Sequence, residues 1–146
     1  MEGFIHIEAF DENNEKYYDF EDHNIIVDNS AAIMALSLSD KKYGVNTLFI
    51  GDGGNILMNY EGTEKLGNEI DAITIANSLT VSGKSIVLNG LSLKVGTLPA
   101  AKIINEFALG YSNTDGEKIL FNYKFLTTTL KVNTGSTVKV SWKINF

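Results

Sequence analysis

Val138-Lys139-Val140-Ser141-Trp142-Lys143-Ile144-Asn145-Phe146 alternates apolar and polar residues without a break. Side chains along a β-strand point to opposite faces in turn. Val138, Val140, Trp142, Ile144 and Phe146 are therefore expected on one face, with Lys139, Ser141, Lys143 and Asn145 on the other. The chain's only tryptophan sits mid-strand, where its ring can anchor a core. An aromatic at the last position leads us to expect a terminus tied into a sheet rather than frayed.

The same period runs outward from this strand. Ile5, Ile7 and Ala9 oppose His6 and Glu8, and Asp11-Glu12-Asn13-Asn14 turns the chain into Tyr17–Phe20, an N-terminal hairpin. His23–Val27 reads as a short strand leading to the one helix that the pattern supports, Ser30–Ser39. Asp28 or Asn29 can cap it, and Ala32, Ile33 and Leu36, with the flanking Met34 and Leu38, give it a broad apolar face. At about three turns it must pack on a sheet to persist. Thr47–Ile50 is a compact strand running into Gly51-Asp52-Gly53-Gly54, and an irregular stretch, Asn55–Asn68, follows. Ile70–Val81 and Ser85–Val95 alternate again across a hairpin signal at Ser82-Gly83. Asn89-Gly90, inside the second run, is either a separate turn or a bulge in one long strand. Residues 101–112 form another strand. Asn113-Thr114-Asp115-Gly116 turns it into Lys118–Phe125, and Leu126–Val132 turns at Asn133-Thr134-Gly135 into the closing strand. About eight to nine strands with one short helix near residues 30–39 predict a mainly β domain. The expected architecture is a single antiparallel β-sandwich or open barrel over residues 1–146.

Composition narrows function by exclusion. The 146-residue chain carries a net charge of −6, and all 12 of its basic residues are lysines. Phosphate-gripping proteins display a basic stripe and favour the arginine fork, so nucleic acid is not an expected partner. No apolar run approaches the ~20 residues that span a bilayer, and the start, Met1-Glu2-Gly3-Phe4-Ile5-His6, lacks the pattern of a signal peptide. Synthesis and folding in a cytosol, without a membrane partner, are the expectation. With no cysteine, neither disulfides nor thiolate metal sites can stabilise the fold.

Several clusters invite a chemical reading. Glycines after a strand, as in Gly51-Asp52-Gly53-Gly54, can cradle phosphate, and Asp52 could ligate a cation. No GKS/T follows and EF-hand spacing is missing, so the simpler reading is a sharp turn in which glycine supplies positive φ. His6 and His23 are the only imidazoles, with no G-x-S-x-G elbow or H-E-x-x-H beside them. Glu61, Glu64 and Glu69 share a loop but do not define the separation that a glycosidase pair needs. Asn105-Glu106 interrupts the apolar run Ile103–Leu109; the glutamate either faces solvent or is a buried acceptor tying down a neighbouring loop. Tyr17, Tyr18, Tyr43, Tyr60, Tyr111 and Tyr123 could build a sugar-stacking platform, although packing is the default role of scattered tyrosines.

Taken in order, His23-Asn24-Ile25-Ile26-Val27 before a helix, Ile50-Gly51-Asp52-Gly53, Lys65-Leu66-Gly67-Asn68-Glu69, Ile104-Asn105-Glu106-Phe107-Ala108-Leu109 and Trp142-Lys143-Ile144-Asn145-Phe146 form a series over most of residues 20–146. That series resembles small structural proteins of tailed-bacteriophage virions, such as tail, baseplate, fibre-associated or neck components. The resemblance implies a non-enzymatic virion part that assembles with copies of itself and with other virion proteins. It supplies no catalytic residues, cofactor or metal. Asn55–Glu64 departs from the family pattern as an insert and is a candidate contact loop. The candidate structural and contact residues are Gly51, Asp52, Gly53, Glu69, Asn105, Glu106, Trp142 and Phe146. The alternative function is a carbohydrate-binding module that recognises a host-surface glycan.

Overall fold

The computed structural model describes residues 1–40, 43–75, 78–94 and 102–146. The chain is mainly β, with antiparallel pairing and one short α-helix, α1 (Ser30–Ser39). Ten strands are described: β1 (Glu2–Phe10), β2 (Lys16–Ile26), β3 (Thr47–Gly51), β4 (Glu69–Thr74), β5 (Leu79–Ser82), β6 (Ser85–Lys94), β7 (Ile103–Ser112), β8 (Lys118–Leu120), β9 (Asn122–Lys131) and β10 (Thr137–Asn145). They fall into two compact units. One comprises Met1–Asn24, Ser78–Ile104 and Thr128–Phe146, and the other Ile25–Asn77 and Asn105–Thr127.

In the first unit the strand order is β2-β1-β10-β6-β5. The register sets Ile5 opposite Trp142, Ile7 opposite Val140 and Ala9 opposite Val138. These side chains, with Leu88, Leu93 and Ile144, share one face by register and are buried. Burying each large apolar side chain contributes about 1.5–3 kcal/mol, so this face supplies most of the unit's stability. Trp142 is 2 % exposed, and its indole N–H donates to Asn24 Oδ1 at 2.6 Å. Asn24 lies opposite Gly3, where a Cβ would come within 2.1 Å of that same amide oxygen. The glycine leaves room for the amide to lie across the strand. Phe146 departs from the expected alternation: β10 ends at Asn145 and Phe146 is 49 % exposed, although its N–H still donates to Lys84 O at 2.9 Å.

Asn89-Gly90 is a bulge. Trp142 pairs with Leu88 and Val140 with Leu91, so both Asn89 and Gly90 oppose the single residue Ser141. The extra residue resolves a slip of phase in the sequence. Ile86 and Leu88 share the inner face before it, and Leu91 and Leu93 share it after, which strict alternation would forbid. Gly90 takes φ +62° and donates its N–H to Ser141 Oγ at 3.1 Å. The β5–β6 hairpin turns through Gly83 and Lys84, since Ser82 pairs with Ser85, and Gly83 takes φ +60°.

In the second unit the order is β4-β3-β7-β9, with β8 also on β7 and the end of β2 (Ile25, Ile26) on β9. All five residues of β3 are buried, as expected of a strand covered on both faces. Val27, Phe49, Leu66, Ala108, Leu120 and Tyr123 form its core.

Several expected boundaries move. Lys16–Ile26 is one strand rather than two, and Val27 lies beyond its end. Ile70–Val81 is two strands, with residues 76–77 outside the described set. Lys118–Val132 breaks at Phe121 instead of after Phe125. There Phe121 donates to Leu109 O and accepts from Val27 N–H, while the Asn122 side chain accepts from Leu109 N–H at 2.8 Å. A side-chain acceptor replaces a ladder bond, and the strand divides. No side chain caps α1, because Asn29 is itself in the αR region and the backbone turns at Val27, Asp28 and Asn29 accept the first N–H groups. The helix buries Ser30 and Ile33 and leaves Leu38 exposed, a narrower face than its sequence predicts.

Candidate functional site

The site is built where β3 ends. Gly51 pairs with Glu69 on one side and with Glu106 on the other, so the chain between residues 52 and 68 is a loop closed at its root. Glu106 is fully buried on β7. Its Oε2 accepts from Gly53 N–H at 2.9 Å and Asn68 N–H at 3.0 Å, and its Oε1 from Gly67 N–H at 2.7 Å and the Tyr123 hydroxyl at 3.0 Å. Each of these four partners is a donor, so both carboxylate oxygens act as acceptors. Asn105, one position past the β3–β7 ladder, accepts from Gly54 N–H at 3.0 Å and donates back to Gly54 O at 3.3 Å. The root is crossed once more by Asp52 N–H to Asn68 O at 3.0 Å.

This arrangement explains the glycines, and it corrects their expected role. None of Gly51, Gly53 and Gly54 takes positive φ. They are required because there is no room. A Cβ on Gly51 would lie 2.5 Å from Glu106 Oε2, one on Gly53 would lie 2.4 Å from Asn68 N, and one on Gly67 would lie 2.2 Å from Gly53 O. The backbone must come this close for its N–H groups to reach a carboxylate. Those N–H groups are already committed to Glu106 and Asn105, so the cluster is not laid out as an open phosphate cradle.

Burial pushes the Tyr123 hydroxyl well above its ordinary value, and the Glu106 carboxylate beside it adds to the shift. Charge-assisted hydrogen bonds offset the cost of taking a carboxylate out of water. With four of them, Glu106 is a clamp holding two separate stretches of one loop.

Above the clamp the loop is also held mid-way. Asp28 N–H donates to Glu61 O at 2.7 Å, and the buried Thr63 hydroxyl donates to Met58 O. Asn55 caps the short turn Ile56–Met58 by accepting from Leu57 N–H at 2.9 Å. Met58 and Leu66 turn into the core, whereas Ile56, Leu57 and Tyr60 are 62 %, 82 % and 53 % exposed.

The structure thus gathers Gly51, Asp52, Gly53, Asn105 and Glu106 at one point. Glu69 stands at its edge, paired with Lys118 Nζ at 2.6 Å. Trp142 and Phe146 belong to the other unit. Glu61 and Glu64 are exposed loop charges. Of the tyrosines, Tyr123 is buried, Tyr17 and Tyr18 donate to backbone carbonyls of Lys131 and Thr128, Tyr43 meets Tyr111 in a tilted pair at 5.1 Å, and Tyr60 is exposed on the loop. Sequence reasoning missed Gly67 and Tyr123 as partners of Glu106. Gly67 carried a signal, because a second glycine returning to a strand beside a first cluster marks a close backbone approach.

One cluster has donor atoms suited to a cation. His6, Glu8 and Asp19 offer ligand atoms within 4.8 Å of one another. The chain already supplies a cation there, since Lys16 Nζ lies 2.7 Å from Glu8 Oε2 and 3.1 Å from Asp19 Oδ2. His6 Nε2 is 2.7 Å from Asp19 Oδ1. The Lys16 hydrogen bond holds the Glu8 carboxyl below its ordinary value, and hydrogen bonds from His6 and then Lys16 do the same for Asp19. Among the described residues no helix is long and apolar enough to cross a membrane. Compared with known proteins, the chain matches no family model, no curated protein and no solved structure.

Proposed function

We propose that the chain is a non-enzymatic assembly subunit that joins copies of itself through its 55–69 loop, within a tailed-bacteriophage virion. The observation that carries this reading is the crest of Ile56, Leu57 and Tyr60, exposed on a loop whose root is fixed by Glu106. Large apolar side chains grouped in water mark a contact surface more often than a free one. Ordering a flexible loop on association costs free energy, and a loop already fixed avoids much of that cost. The fully buried Glu106 carboxylate holds backbone amides, a structural use of a titratable group. The virion setting rests on the motif series from His23 to Phe146, and it makes other virion proteins further partners.

Light scattering over a concentration series up to about 100 μM tests the contact, since a working homotypic interface of this kind should populate oligomers there. The expected result is a defined oligomer that Leu57→Asp reduces to monomer without loss of fold. A wild-type chain monomeric throughout overturns self-assembly. Mass spectrometry of purified particles tests the setting, and absence of the polypeptide from them overturns it.

A further inference from the structure

We infer a saccharide-binding groove on the outer face of the β2-β1-β10-β6 sheet, in the first unit and independent of the loop contact. A cavity of about 440 Å³ opens there, lined by Ile5, Leu88 and Trp142 together with Phe4, His6, Glu21, Asn89, Ser141, Lys143 and Asn145. That volume lies within the range of small-molecule sites, roughly 300–1,000 Å³.

The registers arrange the walls in two rows across the strands. Glu21, His6 and Ser141 stand in one row, and Ser141 faces the bulge that carries Asn89. His23, Phe4, Lys143 and Val87 stand in the next. The first row is polar. The second holds the Phe4 ring against His23, with ring centroids 4.4 Å apart, and an aliphatic side chain beyond it. The bulge is the built feature. Two residues face Ser141 there, so Asn89 is exposed on the same side as Val87 while the inner face stays apolar. Bulges commonly re-aim side chains beside binding sites.

The chemistry of the walls selects the ligand. One ammonium, Lys143, and one carboxylate, Glu21, give no excess of charge, which disfavours a phosphate on one side and a bare metal ion on the other. Ser141 Oγ already accepts from Gly90 N–H and Asn145 Oδ1 from Ser85 Oγ, and a wholly apolar ligand would strip water from Asn89 and from the remaining donors of Ser141 and Asn145 without replacing it. Amides and hydroxyls each donate and accept, as sugar hydroxyls do. A pyranose also carries a patch of C–H groups on one ring face that can lie on an aromatic such as Phe4. His6 stands between Glu21 and Ser141 in the polar row, with its Nε2 engaged by Asp19.

The probes are the methyl pyranosides of glucose, galactose, mannose and N-acetylglucosamine. Each is titrated to about 50 mM, far enough to saturate a millimolar site, into ¹⁵N-labelled protein. At least one should give saturable amide shifts confined to residues 4, 89 and 141–145. Phe4→Ala and the exposed Asn89→Ala should each weaken that binding about tenfold or more, a loss of ~1.4 kcal/mol, whereas Asp115→Asn, on the exposed turn between β7 and β8, should leave it unchanged. No saturable shift with any of the four sugars overturns the inference. So does saturation that maps elsewhere, or binding that survives both groove variants unaltered.

Discussion

Trp142 and Glu106 each centre a buried polar contact, one in each unit, but they stabilise by different means. Around Trp142 the hydrogen bond to Asn24 is an addition to a ring that is already packed on the inner sheet face. The indole's area removes water, and the N–H only avoids being orphaned. Glu106 has little apolar area to bury. Its contribution lies in four donors, three of them backbone amides from two stretches of loop. Volume therefore matters most at position 142, and acceptor chemistry at position 106.

That contrast can be broken by pairs of substitutions read in denaturant titrations. Trp142→Ala should cost about 3–5 kcal/mol, while Trp142→Phe, which keeps most of the volume, should cost much less than half of that. Glu106→Ala should also cost about 3–5 kcal/mol, because it strands buried donors. Here the near-isosteric Glu106→Gln should keep most of the loss, since its NH₂ faces donors. It should also speed amide exchange at Gly53, Gly67 and Asn68 selectively. If Glu106→Gln is as mild as Trp142→Phe, the clamp is not electrostatic.

Alkaline titration sharpens the comparison, because each unit holds a tyrosine whose hydroxyl is raised above its ordinary value. Burial pushes Tyr18 up to about 12, and it pushes Tyr123 higher still, with Glu106 contributing. Both hydroxyls keep their protons longer in the folded chain than the ordinary value near 10 allows the unfolded one. Their stabilisation is complete below about pH 10 and falls as pH rises towards the folded values, by roughly 1.4 kcal/mol per unit for each proton. Tyr18→Phe and Tyr123→Phe should each flatten that decline. The smallest effect is on the acid side. Glu8 and Asp19 have lowered values, so their contribution is present above the ordinary carboxylate range and is lost as pH falls through their folded values. These groups are at the surface, so Lys16→Met should shift acid stability slightly, and added salt should mask the difference.

The strands of the inner sheet face were legible because apolar alternation is enforced by burial, and burial is what residue type records. Even the Asn89-Gly90 bulge is visible as the change of phase between Ile86-Leu88 and Leu91-Leu93. The pairing of Asn105-Glu106 with a loop was legible as one of two readings, since a glutamate within an apolar run needs partners. Its partners were not, because backbone amides carry no residue signature and Tyr123 reads as an ordinary core aromatic. At Gly51 and Gly53 the decisive quantity is distance to Glu106 and Asn68, which residue type does not record. Asn24 as the partner of Trp142 depended on a strand pairing, Gly3 against Asn24, that only the register reveals.

Closing the 52–68 loop at its root has a consequence for how this chain can vary. The clamp asks for glycine spacing at one end and Gly67-Asn68 at the other, and the anchors between them are Met58, Thr63 and Leu66. The side chains at 56, 57 and 60 are exposed, although the Tyr60 ring lies close over Gly62. They form an exchangeable cassette, whose residues can be rewritten for a different partner while the strands beneath keep their sequence.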